Sequence, residues 1–199
     1  MAAVGFFIYS CSKLIRYLKV AKKDDNRFDN IGERLKRVWT IAFAQSKLLR
    51  DPVAGTLHFL IFWGFILFII AVLETIIQGF YSPFSLTFLG SIYSVITIVH
   101  EVFAILIILS VLFLLYRRFV IKVPRLDVER SGKIDAAFIL LMIMFVCITM
   151  FGQNASAIAM NGFIQHENEF RPISASLSEL FFIDGSSAGF FYELFESLW

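Results

Sequence analysis

The sequence predicts an all-α, multi-pass transmembrane helix bundle with a basic amphipathic helix lying along the membrane surface. Three observations predict it. The chain has 199 residues, 58% of them hydrophobic and 24 of them Phe. Its apolar residues are gathered into near-uncharged runs of about 20 residues or more, the length that spans a bilayer and not the pattern of a soluble domain. All but one of its basic residues fall in two segments that alternate with these runs.

The elements follow in order. Residues 2 to 9, "AAVGFFIY", are apolar and pass into the mixed "SCSKLIRYLKVAKK". The uncharged part is shorter than a spanning helix, and it lacks the charged leader and small-residue cleavage site of a signal peptide. It reads as the last half of a transmembrane helix or as an interfacial helix. Residues 31 to 50 place Leu35, Val38, Trp39, Ala42, Phe43 and Ser46 at helical spacing among basic residues, which suits a surface-lying helix. Pro52 suits the first turn of a spanning helix that runs to about Gln78, with Asp51 as its N-cap. "GFYSP" turns the chain. A second spanning helix covers roughly Leu86 to Tyr116, and a polar loop broken by Pro124 follows it. A third covers about Ile134 to Met160. An acidic connection then leads to "FFYELFESLW", which begins another apolar run at about 190.

Charge sets the orientation. Residues 13 to 50 hold eleven Lys or Arg and residues 117 to 133 hold six, leaving Arg171 alone elsewhere. Short basic loops remain in the cytoplasm. The reading is therefore a protein of the cell's inner (cytoplasmic) membrane, with loops 20 to 50 and 117 to 133 cytoplasmic and the acidic connection outside. Topology and attraction to anionic headgroups explain the basic balance, and no basic motif interleaved with aromatics argues for nucleic acid. Cys11 and Cys147 match no zinc, redox or iron–sulfur spacing.

Ionisable side chains inside the spans are the candidates for chemistry: His58, Glu74, His100 and Glu101. A neutral imidazole on a bundle helix suits haem iron. A histidine hydrogen-bonded to a neighbouring helix is the alternative. His58 lies six residues past Pro52, roughly 9 Å deep, and His100 lies 16 residues before Tyr116, roughly 24 Å from the same surface. A difference of about 15 Å in level is too large for two ligands of one iron. His166 sits in the acidic connection and reads as a solvated loop histidine. Gly55, one turn before His58, permits close approach of a helix or of a flat macrocycle. Lys47 and Arg50, at the inner boundary, suit pairing with haem propionates. Glu74 and Gln78, one turn apart near the outer end of their helix, suit a proton-accepting site for a quinol; a carboxylate snorkelling to the surface is the alternative. Glu101 points about 100° away from His100 around its helix.

The stretches "DNRFDNIGERLKRVW", "QSKLLRDPVAGTLHFLIFWGF" and "LYRRFVIKVPRL" resemble the membrane domain of heterodisulfide-reductase-related iron–sulfur oxidoreductases. That family includes proteins that pass electrons between electron-transfer flavoprotein and menaquinone. Its membrane part is similar to the gamma subunit of respiratory nitrate reductase, a five-helix b-type cytochrome. The resemblance covers about residues 4 to 160 and extends weakly to Trp199. It implies that His58, inside the "RDP-x-x-G-x-x-H-x-x-I-F-W-G-F" block, is a haem ligand. It further implies a second histidine pair on the fifth helix and a cytoplasmic domain with [4Fe–4S] clusters beyond residue 199. On this resemblance residues 1–199 are a single membrane cytochrome b-type domain, a fragment with its first helix cut short and its fifth just begun. His100 departs from the family pattern. The two histidines that the nitrate reductase subunit carries on one helix are not reproduced either, since Ile66 and Phe68 stand there.

The expectation is a membrane module with one or two b haems, ligated at His58 and at His100. It relays electrons between menaquinone or another quinone and a cytoplasmic iron–sulfur domain or subunit, with electron-transfer flavoprotein as a further partner. It would be the membrane part of a quinone-linked oxidoreductase. The competing class is a cofactor-free anchor, sensor or transporter bundle; no paired intramembrane charges across repeats favour a transporter.

Overall fold

A computed structural model describes residues 2–20, 29–81, 83–122, 130–162, 164–165, 168–181 and 188–198. Seven α-helices and no strand occur among them: α1 (Ala2–Val20), α2 (Ile31–Val38), α3 (Pro52–Phe80), α4 (Ser91–Tyr116), α5 (Arg130–Met160), α6 (Pro172–Phe181) and α7 (Ala188–Ser197). The chain divides into two compact units, Met1–Ser46 and Lys47–Trp199.

In the first unit, α1 is one continuous helix that carries Lys13, Arg16 and Lys19 together with exposed Phe6, Leu14 and Leu18. It extends well beyond the apolar stretch of residues 2 to 9. α2 continues through a wider, π-helical turn over Trp39–Phe43, where the Trp39 and Phe43 rings stack at 5.4 Å. Glu33–Arg37 (2.8 Å) and Asp29–Arg34 (2.6 Å) pair along its exposed side. The single helix expected over residues 31 to 50 is not formed. It ends at Phe43, and Gln45 takes a left-handed conformation (φ 49°) that no helix can continue through.

Three helical stretches are long and apolar enough to cross a membrane: Pro52–Phe80, Ser91–Ile121 and Gly132–Met160. All belong to the second unit. α3 starts as its sequence dictates, with Pro52 in the first turn and Asp51 Oδ1 accepting from the Ala54 N–H at 3.1 Å. α4 starts later than expected. Leu86–Leu89 form a separate 3-10 turn, and Gly90 breaks it from α4 with φ 58°. A Gly at that φ carries no Cβ penalty.

α4 is the central helix, packed on α3 at one side and on α5 at the other. Ile61 and Phe68 of α3, Ala104, Ile107 and Val111 of α4, and Cys147 and Phe151 of α5 form the main buried cluster. The α3–α4 seam keeps one antiparallel register along its whole length. Asp51 faces Arg117 at 3.6 Å, Gly64 lies under Ile107, Leu67 meets His100, and Glu74 meets Tyr93. A Cβ on Gly64 would lie 2.5 Å from Ile107 Cδ1, so the absent side chain sets how closely the two helices approach.

The segment after α5 is more than a connection. Asn168 O accepts from Ser94 Oγ (2.8 Å), the Phe170 N–H donates to Thr97 Oγ1 (3.0 Å), and the Ile173 and Ser174 N–H groups reach Glu101. The chain therefore descends along α4 from its first turns to Glu101, ten residues and about 15 Å into the span. There α6 begins. Ile173 packs on the cluster containing Cys147 and Phe151. Leu177, one turn on, also touches the cluster of Ala155, Ala159 and Ala188 nearer the end of α5. α6 thus turns back, which makes residues 168–181 a re-entrant element. α7 packs on α5 in its turn, with the Phe195 ring where a side chain on Gly152 would lie.

Candidate functional site

His58 is on α3, two turns past Pro52, and is exposed. It shares one helix face with Phe65, Ile69, Val72 and Ile76, all exposed as well. Leu67, which meets α4, lies nine residues on and so projects from the opposite side of α3. His58 accordingly points away from α4, out of the bundle.

His100 is placed in the opposite manner. It is 5% exposed, its ring lies edge-on to Phe68 at 5.6 Å, and its Nε2 is 2.9 Å from Leu67 O. A helical carbonyl keeps a second lone pair after its own backbone bond, so an Nε2–H donor satisfies both helices. On α3 the level of His100 is that of Leu67, about 14 Å above His58 at the helical rise. The two imidazoles differ both in level and in direction, and one iron cannot join them. The Nε2 that would face a metal is spent on a helix–helix hydrogen bond. His166 lies outside the described residues.

The space beside Gly55 is not open to a macrocycle on the side its missing Cβ would fill. The backbone of Leu48 and Leu49 occupies it, with Leu48 O in direct contact. Gly55 lets the 3-10 turn Leu48–Arg50 fold against the start of α3. Lys47 and Arg50 flank that turn and are exposed.

Glu74 and Gln78 hold the turn between α3 and α4. Glu74 is buried; its Oε1 accepts from the Leu86 N–H (2.7 Å) and Ser85 Oγ (3.3 Å), and its Oε2 from Tyr93 OH (3.0 Å). Gln78 Nε2 donates to Phe84 O at 3.0 Å. The carboxylate neither snorkels to the surface nor faces open space. Three donors reach this buried carboxylate, Tyr93 OH with a second contact to Oε1 at 3.3 Å, so its oxygens are satisfied inside the bundle.

Glu101 is fully buried and accepts from the N–H groups of Ile173 (2.7 Å) and Ser174 (2.9 Å). Pro172 has no N–H, so the carboxylate satisfies the donors that the first turn of α6 would otherwise leave unpaired. The helix dipole favours a negative charge at that end. Its place inside a span marks Glu101 as a candidate for chemistry, and the structure gives it to the start of α6 instead. The signal that was available is "RPISASLSELF", a proline-started segment with apolar residues at helical spacing. Among the described residues no group of three or more His, Cys, Asp and Glu side chains could hold a metal ion.

Over 126 residues, 62% of its length, the chain is 36% identical to the probable iron–sulfur-binding oxidoreductase FadF of Bacillus subtilis, of which it covers 17%. It is related to oxidoreductases. It is also 28% identical over 147 residues, 73% of its length, to the EtfAB:quinone oxidoreductase of Syntrophomonas wolfei, of which it covers 20%. The chain thus spans about a fifth of the length of these curated relatives. No family model matches it, and no solved structure matches it.

Proposed function

We propose that this chain is the membrane electron-transfer module of a quinone-linked oxidoreductase. It relays electrons between menaquinone or another quinone in the bilayer and a cytoplasmic iron–sulfur domain or subunit, with electron-transfer flavoprotein as the soluble partner. The observation that carries the reading is three helices long and apolar enough to cross a membrane, in a chain similar over 126 residues to an iron–sulfur-binding oxidoreductase and over 147 to an EtfAB:quinone oxidoreductase. The basic ends of the spans face the cytoplasm on this reading, as charge retention requires.

A b-type haem would be held at His58. An ionisable side chain on an otherwise apolar face of a spanning helix is a candidate for function, and an imidazole there suits haem iron. Haem b, when bound, supplies a one-electron iron couple. The chain's own residues do the rest. α3 fixes the level of His58 near the basic end, so that electrons have a short path to a soluble partner. Exposed Lys47 and Arg50 offer charges for propionates. The face of Phe65, Ile69, Val72 and Ile76 excludes water. His100 would not share that haem, because its Nε2 faces α3 and lies 2.9 Å from Leu67 O. We assign His100 to helix packing, and Glu74 with Gln78 to holding the α3–α4 turn that would border a quinone headgroup.

Haem content and reduction spectra of the complete protein test this. His58→Ala should remove about one haem equivalent and stop quinone-linked reduction of the iron–sulfur module, because loss of an axial ligand empties or opens the site. His100→Ala should keep the haem content. An unchanged haem content and low-spin spectrum in His58→Ala would refute the reading and favour a cofactor-free bundle.

A further inference from the structure

Three helix ends meet at the basic end of the bundle: the start of α3, the end of α4 and the start of α5. Two arginines on the turn Arg117–Ile121 reach into the space between them. Arg117 Nη2 lies 3.6 Å from Asp51 Oδ2, and Arg118 Nη2 donates to Gly132 O at 2.9 Å. Both guanidinium groups hold a further N–H that is buried and has no acceptor, Arg117 Nη1 and Arg118 Nε. A guanidinium is permanently charged, and a buried donor left without an acceptor is costly. Asp51 cannot supply the missing acceptor to both, since its Oδ1 already takes the Ala54 N–H and its Oδ2 faces Arg117. Among the described residues Asp51 is paired with Arg117, and no carboxylate is paired with Arg118.

We propose that Arg117 and Arg118 bind the phosphate of an anionic lipid headgroup at the junction of α3, α4 and α5. The position fits a lipid. These residues follow directly on a spanning helix, at the level where headgroups lie, and basic pockets between helix ends take anionic headgroups. The chemistry fits a phosphate, whose oxygens match the planar donor fork of arginine. The neighbouring Phe119, Val120 and Ile121 are exposed and give the acyl chains an apolar surface. A phosphate held there would join the three helix ends that Arg117 and Arg118 already touch through Asp51 and Gly132. The proposal does not depend on the haem reading.

The complete protein, purified in mild detergent with phosphatidylglycerol and phosphatidylcholine in equal amounts, tests it by native mass spectrometry after delipidation. Wild type should keep one phosphatidylglycerol. Arg118→Gln should keep about tenfold less, the loss of one charge-assisted hydrogen bond. Arg171→Gln, at the far end of the bundle, should keep the wild-type amount. Arg118→Lys, which retains the charge but not the fork, serves if the Gln variant fails to fold, and should fall between the two. Equal retention in wild type and in the Arg118 variants overturns the proposal. So does protection of the lipid-free protein by millimolar inorganic phosphate to the same degree as by phosphatidylglycerol, which would name free phosphate as the occupant. Loss of haem from Arg118→Gln with lipid retention unchanged would make the anion a propionate, and also overturns it.

Discussion

Replacing Glu101 by Ala removes the two acceptors that start α6 within the bundle. The carboxylate is fully buried, and it accepts from the Ile173 and Ser174 N–H groups at 2.7 and 2.9 Å. Each buried donor left unpaired costs about 1–3 kcal/mol. Loss of a negative charge at a helix N-terminus adds up to about 1–2 kcal/mol in a buried setting. Together these come to roughly 3–8 kcal/mol, more than a ten-residue helix can absorb without partial release. Glu101→Gln keeps one carbonyl acceptor and should cost about half as much. Hydrogen exchange of the purified protein in detergent or nanodiscs measures the effect directly. At 1.4 kcal/mol per factor of ten, the amides of residues 173–178 should exchange on the order of a hundredfold faster or more in Glu101→Ala. Those in the middle of α3 should keep their protection. Wild-type exchange across α6 together with an unshifted melting temperature would refute the assignment of Glu101 as the cap that holds the re-entrant element.

Two further outcomes are expected. Gly55→Ala should destabilise by about 2 kcal/mol or more, since the new Cβ meets the Leu48 backbone, whereas Gly64→Ala should cost less because the Ile107 Cδ1 end can shift; the order of their melting temperatures checks this. With loops 20 to 50 and 117 to 133 in the cytoplasm, an impermeant thiol reagent applied to intact cells should label Ile164→Cys and leave Lys122→Cys untouched, both positions being exposed; the reverse pattern would invert the topology.

The spans and the start of α3 were legible in the sequence because each depends on its own residues. A run such as 53 to 73 has to be helical in lipid, where backbone groups can pair only within the segment. Asp51 and Pro52 start α3 through contacts no more than three residues away. The difference in level between His58 and His100 was legible too, because helical rise converts residue number into depth.

The direction of each histidine was not legible. Periodicity orders the faces of α3, but only docking decides which face receives α4, and that docking turned His100 inward onto Leu67 and left His58 outward. Gly55 was ambiguous for the same reason: a small residue announces a close approach without saying what approaches. α6 was missed because its stability is not local. Residues 161 to 181 look like a polar connection when taken alone, and the side chains that receive residues 168 to 174, Ser94, Thr97 and Glu101, stand about 70 residues earlier in the chain. The sequence by itself determined a membrane-spanning helical bundle with one basic end, because hydropathy and charge act residue by residue. The tertiary structure alone decided which polar groups inside it are spent on holding the fold, because burial is tolerated only where a distant partner completes the hydrogen bonds.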